Sequence, residues 1–265
     1  MSFITRFISK IGKSTLDISE HLGRATFMIK DVFYWAFKSR LEVDEIYKQT
    51  VRIGVDSVGV ASLVSLFTGM VLALQTGYTS QNLFNEPLYV GTAVGFSLVK
   101  ELAPVLTAIV VCGRAGSSVT AEIGTMAVTE QIDALYTLGT NPSSYLLIPR
   151  YFAFLIALPV LTVIANIIGI FGGFAVGVVR LGISSTVFID DIIDFMEVKN
   201  FMHGFIKTFL FAFTIATVSC YKGLYTEGGA EGVGKSTTES VVLSMILILV
   251  IDYFASSFLV LIGIT

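Results

Sequence analysis

The sequence predicts an all-α integral membrane protein: five transmembrane helices preceded by an N-terminal amphipathic interfacial helix. Three observations carry this. Hydrophobic residues fill 54% of the 265 positions and charged residues only 14%, against about a quarter charged in soluble proteins. Residues 57–76 run for 20 positions without a charge, and residues 151–179 for 29 positions between Arg150 and Arg180. At about 1.5 Å per residue, each run crosses a hydrocarbon layer of about 30 Å. Third, nine of the 17 Lys and Arg fall within residues 1–52 and none within 77–87, the asymmetry of a chain whose N-terminus stays in the cytoplasm.

Residues 1–54 form the interfacial region. Apolar or small residues recur at Ile4, Ile8, Ile11, Thr15, Ile18, Leu22, Ala25, Ile29, Val32 and Ala36, steps of four and three that trace one helix face. Basic residues occupy the other faces, and Phe27, Phe33, Tyr34 and Trp35 add interfacial aromatics, so a helix lying in the headgroup layer is expected. The alternative is an ordinary amphipathic helix packed on protein. Arg6, Lys10 and Lys13 interrupt the first apolar residues, which is not the pattern of a secretory signal.

Residues 55–265 hold the spans, expected at about 55–76, 88–111, 150–179, 201–221 and 239–263. The second carries Lys100 and Glu101, the fourth Lys207 and the fifth Asp252. A cytoplasmic N-terminus then places 112–148 and 222–240 inside and 77–87, 180–200 and the C-terminus outside. Gly169, Gly173 and Gly177 form a small-residue stripe that lets another helix of the chain approach closely. Asp190, Asp191, Asp194 and Glu197 mark a short solvated external helix. The two cysteines, Cys112 and Cys220, sit at helix ends and are expected as packing residues, with no disulfide framework or metal site.

Residues 229–236, GAEGVGKS, match the phosphate-loop pattern letter for letter. That chemistry needs a buried strand before the loop and a metal-binding acid on a neighbouring strand, whereas the residues before it form an apolar stretch of membrane length. The glycines are therefore expected in a tight turn, with Ser236 and Glu239 forming a capping box for the fifth span. No Ser-His-Asp set, cysteine nucleophile or metal cluster is visible, and His21 and His203 fall on opposite sides of the membrane in this topology. The chain is not expected to be an enzyme, and no cofactor or nucleic-acid partner is expected.

The segment RAGSSVTAEIGTMAVTEQIDALYTLGTNP is too regular for a passive turn. Ile123, Met126, Ile132, Leu135 and Leu138 recur at spacings of 3, 6, 3 and 3, with Glu122, Glu130, Gln131 and Asp133 on other faces. This predicts an amphipathic helix over 122–138, broken near Gly124 and stopped by Gly139 with Pro142 beyond. Anionic headgroups would repel its carboxylates, so a groove on another protein is its expected seat.

The run VKELAPVLTAIVVCGRAGSSVTAEIGTMAVTEQIDAL, with FTGMVLALQ before it and YKGLYTEGGAEGVGKSTTESVV after it, resembles the MlaE-type (YrbE-type) permeases of ABC transporters that work with MCE-domain proteins on phospholipid. The resemblance spans the chain from the amphipathic helix to the last span. It implies a homodimer of five-span subunits in the bacterial inner membrane. Each subunit would dock a coupling helix, with Glu122, Met126, Glu130, Asp133 and Leu135 as contacts, into a separate cytoplasmic ATPase, and a periplasmic MCE-domain protein would be the outer partner. It also implies that Phe67, Met70 and Leu74 line an outward-facing cavity for acyl chains.

Charges inside spans are costly and must meet protein, water or ligand. Lys100 and Glu101 lie about 16 Å inside the cytoplasmic end of the second span, and Lys207 about 9 Å below the outer end of the fourth. One reading pairs Glu101 with Lys207, or Asp252 with Lys100, to hold the bundle in register. The other makes Lys100 and Lys207 a cationic patch for a lipid phosphate, with Glu101 beside it; the resemblance favours this. A lysine at 100, where the family often has arginine, supplies a point charge, not a bidentate clamp. The competing function class is an ion-coupled lipid carrier or scramblase that uses Lys100, Glu101, Lys207 and Asp252 as a proton relay without an ATPase.

Overall fold

The computed structural model describes residues 3–38, 41–84 and 89–263. Among them eight helical elements follow one another and no strand occurs: α1 (Phe3–Lys38), α2 (Val43–Phe84), α3 (Val90–Val128), α4 (Gln131–Thr137), α5 (Ser143–Val179), α6 (Ser185–Phe195), α7 (Val198–Leu224) and α8 (Gly229–Leu261). Five of these, α2, α3, α5, α7 and α8, are long and apolar enough to cross a membrane. They run up and down, so that α4 lies at one end of the bundle and α6 at the other.

The helices overshoot the apolar runs that announce them. α2 has 42 residues, about 63 Å at helical rise, and continues through the expected 77–87 loop as far as Phe84. α3 extends past position 111 to Val128, and α5 starts at Ser143, ahead of Arg150. Hydropathy reports where hydrocarbon ends, not where backbone hydrogen bonding ends.

Two widened π turns precede prolines. Leu98–Leu102 lies before Pro104, and Ser143–Leu147 before Pro149. A proline lacks the N–H that would meet the carbonyl four residues back, and a turn with i→i+5 bonding accommodates the loss without ending the helix. A third, Cys112–Gly116, lies where α3 passes α7: a Cβ on Gly116 would sit 3.0 Å from Ser219 Oγ and 3.2 Å from Ile215 Cγ2.

α2 and α5 form the most extensive helix pair. A Cβ on Gly69 would overlap the Gly169 carbonyl oxygen, one on Gly172 would overlap the Leu66 carbonyl, and Ser65 Oγ donates to Ala165 O at 2.5 Å. The glycine stripe of α5 thus packs within the chain: a Cβ on Gly173 would meet Val94 of α3 at 2.6 Å, and one on Gly177 would meet Phe188 of α6 at 2.9 Å. Toward the α4 end, where a Cβ on Gly54 would still meet Ala157 Cβ at 3.5 Å, the two helices flank an apolar cavity of about 240 Å³ lined by Tyr47, Val51, Val55, Ile156 and Val160, among others.

The main core lies in the α4 half, where Ile53, Val111, Ile123, Phe154, Phe211, Ile215 and Ile248 are buried together; a smaller cluster of Ala73, Val90, Val94, Leu98, Ile183 and Phe188 closes the α6 end. α1 joins the main core through Met28 and Val32, with Ala25, Trp35 and Ala36 packed alongside. Its second half therefore rests on protein, while Phe27, Phe33 and Phe37 stay exposed. The side chains of Ile4, Ile8, Ile11, Thr15 and Ile18 lie outside the described residues.

Candidate functional site

Three helices converge on one ammonium group. Lys207 of α7 is fully buried, and its Nζ donates to Glu101 Oε2 of α3 at 2.5 Å, to Asp252 Oδ1 of α8 at 2.8 Å and to Ser256 Oγ at 3.0 Å. An ammonium has three donors, and all three are engaged. Ser256 Oγ donates to Glu101 Oε1 at 3.1 Å, and His203 Nε2, one turn from Lys207, lies 3.6 Å from the same oxygen. The π turn Leu98–Leu102 presents Glu101 here. Gly204 permits the approach, because a Cβ there would overlap the Val99 carbonyl.

Of the two readings of the intramembrane charges, the arrangement contains ion pairs of the kind the first describes. Lys207 is enclosed by two carboxylates, whereas Lys100 Nζ lies over the Phe96 ring, 4.6 Å from its centroid, in a cation–π contact. The pairing of Glu101 with Lys207 is present, and that of Asp252 with Lys100 is replaced by Asp252 with Lys207. Of the residues expected to meet acyl chains, Phe67 is exposed and Met70 and Leu74 are half-buried on α2; none of them lines the apolar cavity between α2 and α5.

The expected coupling helix is two helices. α3 runs unbroken through Gly124, where a Cβ would meet Thr226 Oγ1 at 3.0 Å, and stops at Val128. The reversal comes at Thr129 and at Glu130, whose φ of 59° is left-handed. α4 then ends at Thr137, with Gly139 at φ 76°. Met126, Ile132 and Leu135 are half-buried and pack one side against the main core. Glu130 and Asp133 are exposed, as are Tyr136 and Leu138, at 59% and 79%.

Glu122 is also directed inward. Its Oε2 accepts from Arg52 of α2 at 2.8 Å, and its Oε1 lies 3.1 Å from Nη2 of Arg150, a side chain only 4% exposed. Arg114 adds bonds to Ser57 Oγ at 2.8 Å and to the Arg52 carbonyl at 2.7 Å. In the sequence Arg150 marked only the edge of the longest apolar run and His203 only a histidine remote from His21, and Arg52 and Arg114 had no site role; the signal was Arg150, a charge standing directly before that run.

GAEGVGKS is helical. α8 starts at Gly229 after Gly228 at φ 89°, so Lys235 and Ser236 lie inside the helix. The expected turn and the Ser236–Glu239 capping box are both corrected: Glu239 instead pairs with Lys222 at 2.6 Å. A Cβ on Gly232 would overlap the Glu227 carbonyl, which accounts for that glycine by close packing.

Comparison with known proteins agrees with this architecture. The sequence profile of the family described as Permease MlaE matches residues 46–258. A probable ABC transporter permease protein of Rickettsia typhi is 39% identical over 249 residues, 94% of this chain and 96% of the relative. A probable ABC transporter permease protein of Synechocystis is 37% identical over 237 residues, 89% of this chain and 90% of that protein. The intermembrane phospholipid transport system permease protein MlaE of Haemophilus influenzae is 35% identical over 255 residues, 96% of this chain and 97% of its own. With five helices of membrane length and a family match over most of its residues, the chain belongs to the MlaE permease family of ABC transporters.

Proposed function

We propose that this chain is the membrane subunit of a bacterial inner-membrane transporter that moves phospholipid between the inner and outer membranes, driven by a separate ATPase. The observation that carries the reading is the α4 tip: an exposed reversal at Glu130 followed by a short helix with Asp133, Tyr136 and Leu138 open to a partner. Acidic and aromatic groups on a projecting helix suit a groove on a soluble protein. With the α4 end in the cytoplasm, as the basic residues of 1–52 favour, that protein is the ATPase. An MCE-domain protein occupies the outer side.

Two subunits pair. Only 11% of the apolar window of α8 and 28% of that of α2 is buried within one chain, against 56% for α7, which leaves those two helices with faces for a second copy and for lipid. Phe67, Met70 and Leu74 contact acyl chains between the subunits, and Lys100 is the intramembrane cation best placed to meet a headgroup, since Lys207 is neutralised. Glu101, Lys207 and Asp252 hold three spans in register. Nucleotide-driven closure moves the α4 tips, turns the first spans and transfers lipid to or from the MCE partner.

The test uses the complex in lipid vesicles. Glu130→Ala with Asp133→Ala, or Tyr136→Ser with Leu138→Ser, should reduce ATPase co-purification at least tenfold and abolish ATP-dependent lipid transfer. A wild-type chain that retains no ATPase would end the proposal. The buried Glu101–Lys207–Asp252 group favours one competitor, the ion-coupled carrier; transfer that survives vanadate and collapses with an uncoupler would establish it instead.

A further inference from the structure

We propose that Glu122 is a positioning residue that transmits movement of the α4 tip to α2 and α5 together, and not a contact for the ATPase. The inference rests on the reading that the tip receives a nucleotide-driven partner. Each carboxylate oxygen of Glu122 meets an arginine from a different helix: Oε2 meets Arg52 Nη1 of α2 at 2.8 Å, and Oε1 meets Arg150 Nη2 of α5 at 3.1 Å. Both arginines are anchored by a second bond, Arg52 Nη2 to Ser118 Oγ at 3.3 Å and Arg150 Nη1 to Leu146 O at 2.6 Å. Each guanidinium is a planar fork, so two such bonds fix its orientation.

The position matters as much as the pairing. Glu122 sits about 10 Å from the reversal at Thr129 along a continuous helix, so a push on the tip reaches it as a rigid displacement. α2 and α5 are already joined through Gly69 and Gly169 near the middle of α2. A carboxylate that holds both at their α4 ends moves them as one body, whereas a tie to either alone would shear that glycine contact. Arg114, also on α3, reinforces the junction by donating to the α2 carbonyls of Arg52 and Ile53 at 2.7 and 3.2 Å. Packing alone would be better served here by an apolar residue, since removing two charges from water is costly. The charges are directional contacts between three helices.

The experiment compares Glu122→Gln with wild type in the purified complex with its ATPase, reconstituted in phospholipid vesicles. Co-purification, ATP hydrolysis and lipid transfer are measured on the same samples. Glu122→Gln should retain the ATPase and hydrolyse ATP within twofold of wild type while moving at least tenfold fewer lipids per ATP. Arg52→Gln, at an arginine half exposed to solvent and so tolerant of change, should uncouple in the same way. Loss of ATPase binding in Glu122→Gln, or a parallel fall in hydrolysis and transfer in both single variants, would overturn the inference. Failure of the wild-type complex to couple hydrolysis to transfer would instead refute the ATP-driven reading beneath it.

Discussion

Lys207→Met isolates the electrostatics of the buried group. The lysine is fully enclosed, and its removal leaves Glu101 and Asp252 facing the same space without a cation. Breaking a buried ion pair by deleting one partner costs about 3–5 kcal/mol. Glu101 is 40% and Asp252 21% exposed in the single chain, so partial solvation argues for the lower end, about 3 kcal/mol. At about 2–4 °C per kcal/mol for a domain of this size, the melting temperature should fall by about 6–12 °C. The neutral triple variant Glu101→Gln, Lys207→Met, Asp252→Asn carries no orphaned charge and should melt within about 3 °C of wild type, because exchanging a whole buried ion group for uncharged side chains is often neutral. Melting is followed by circular dichroism of the chain in nanodiscs. An unchanged melting temperature for Lys207→Met, or a triple variant as unstable as the single, would refute the claim that the lysine neutralises both acids.

Two further outcomes follow from particular contacts. Gly69→Ala places a methyl group against the Gly169 carbonyl and should destabilise the chain by about 1–3 kcal/mol in thermal melts; Gly59→Ala on the same helix, with open space around it, should not. Burial, with Asp194 and Asp190 adding to it and a backbone bond from Gly91 opposing it, raises the Asp191 carboxyl above the ordinary 3.8. The folded chain therefore keeps a proton there at pH values where the unfolded chain has released it. The contribution of Asp191 to stability is greatest below the unfolded value and is lost as pH rises through the folded one; Asp191→Asn should remove that part of the decline in melts across acidic to neutral pH.

Span number was legible because length and polarity are one-dimensional signals, and each of the five runs leaves its mark even with Lys100, Glu101, Lys207 or Asp252 inside it. Helix ends were not legible in the same way. The second span was expected to end near 111, with a separate amphipathic helix over 122–138, yet α3 is continuous to Val128, and Arg114 and Glu122 make their bonds to α2 and α5. Ser236 and Glu239 satisfy a capping box by letter, but a left-handed Gly228 starts the helix two turns earlier. The partners of Lys207 depended on rotational phase: the π turn Leu98–Leu102 adds about one residue to a turn and so shifts the helix by about 100°. That insertion is set by Pro104 together with the fit of Gly204 against Val99, a three-dimensional contact that no spacing rule encodes.

The three-way contact at Lys207 has a bearing on biogenesis. A ribosome delivers α7 before α8, so the ammonium must enter the bilayer before Asp252 does, at a cost below that of a lysine at mid-membrane, about 2.5–3.5 kcal/mol. Glu101 has already been inserted with α3 and can receive it. The fourth span is thus integrated in company with the second, and the nascent fifth completes the group when its aspartate arrives.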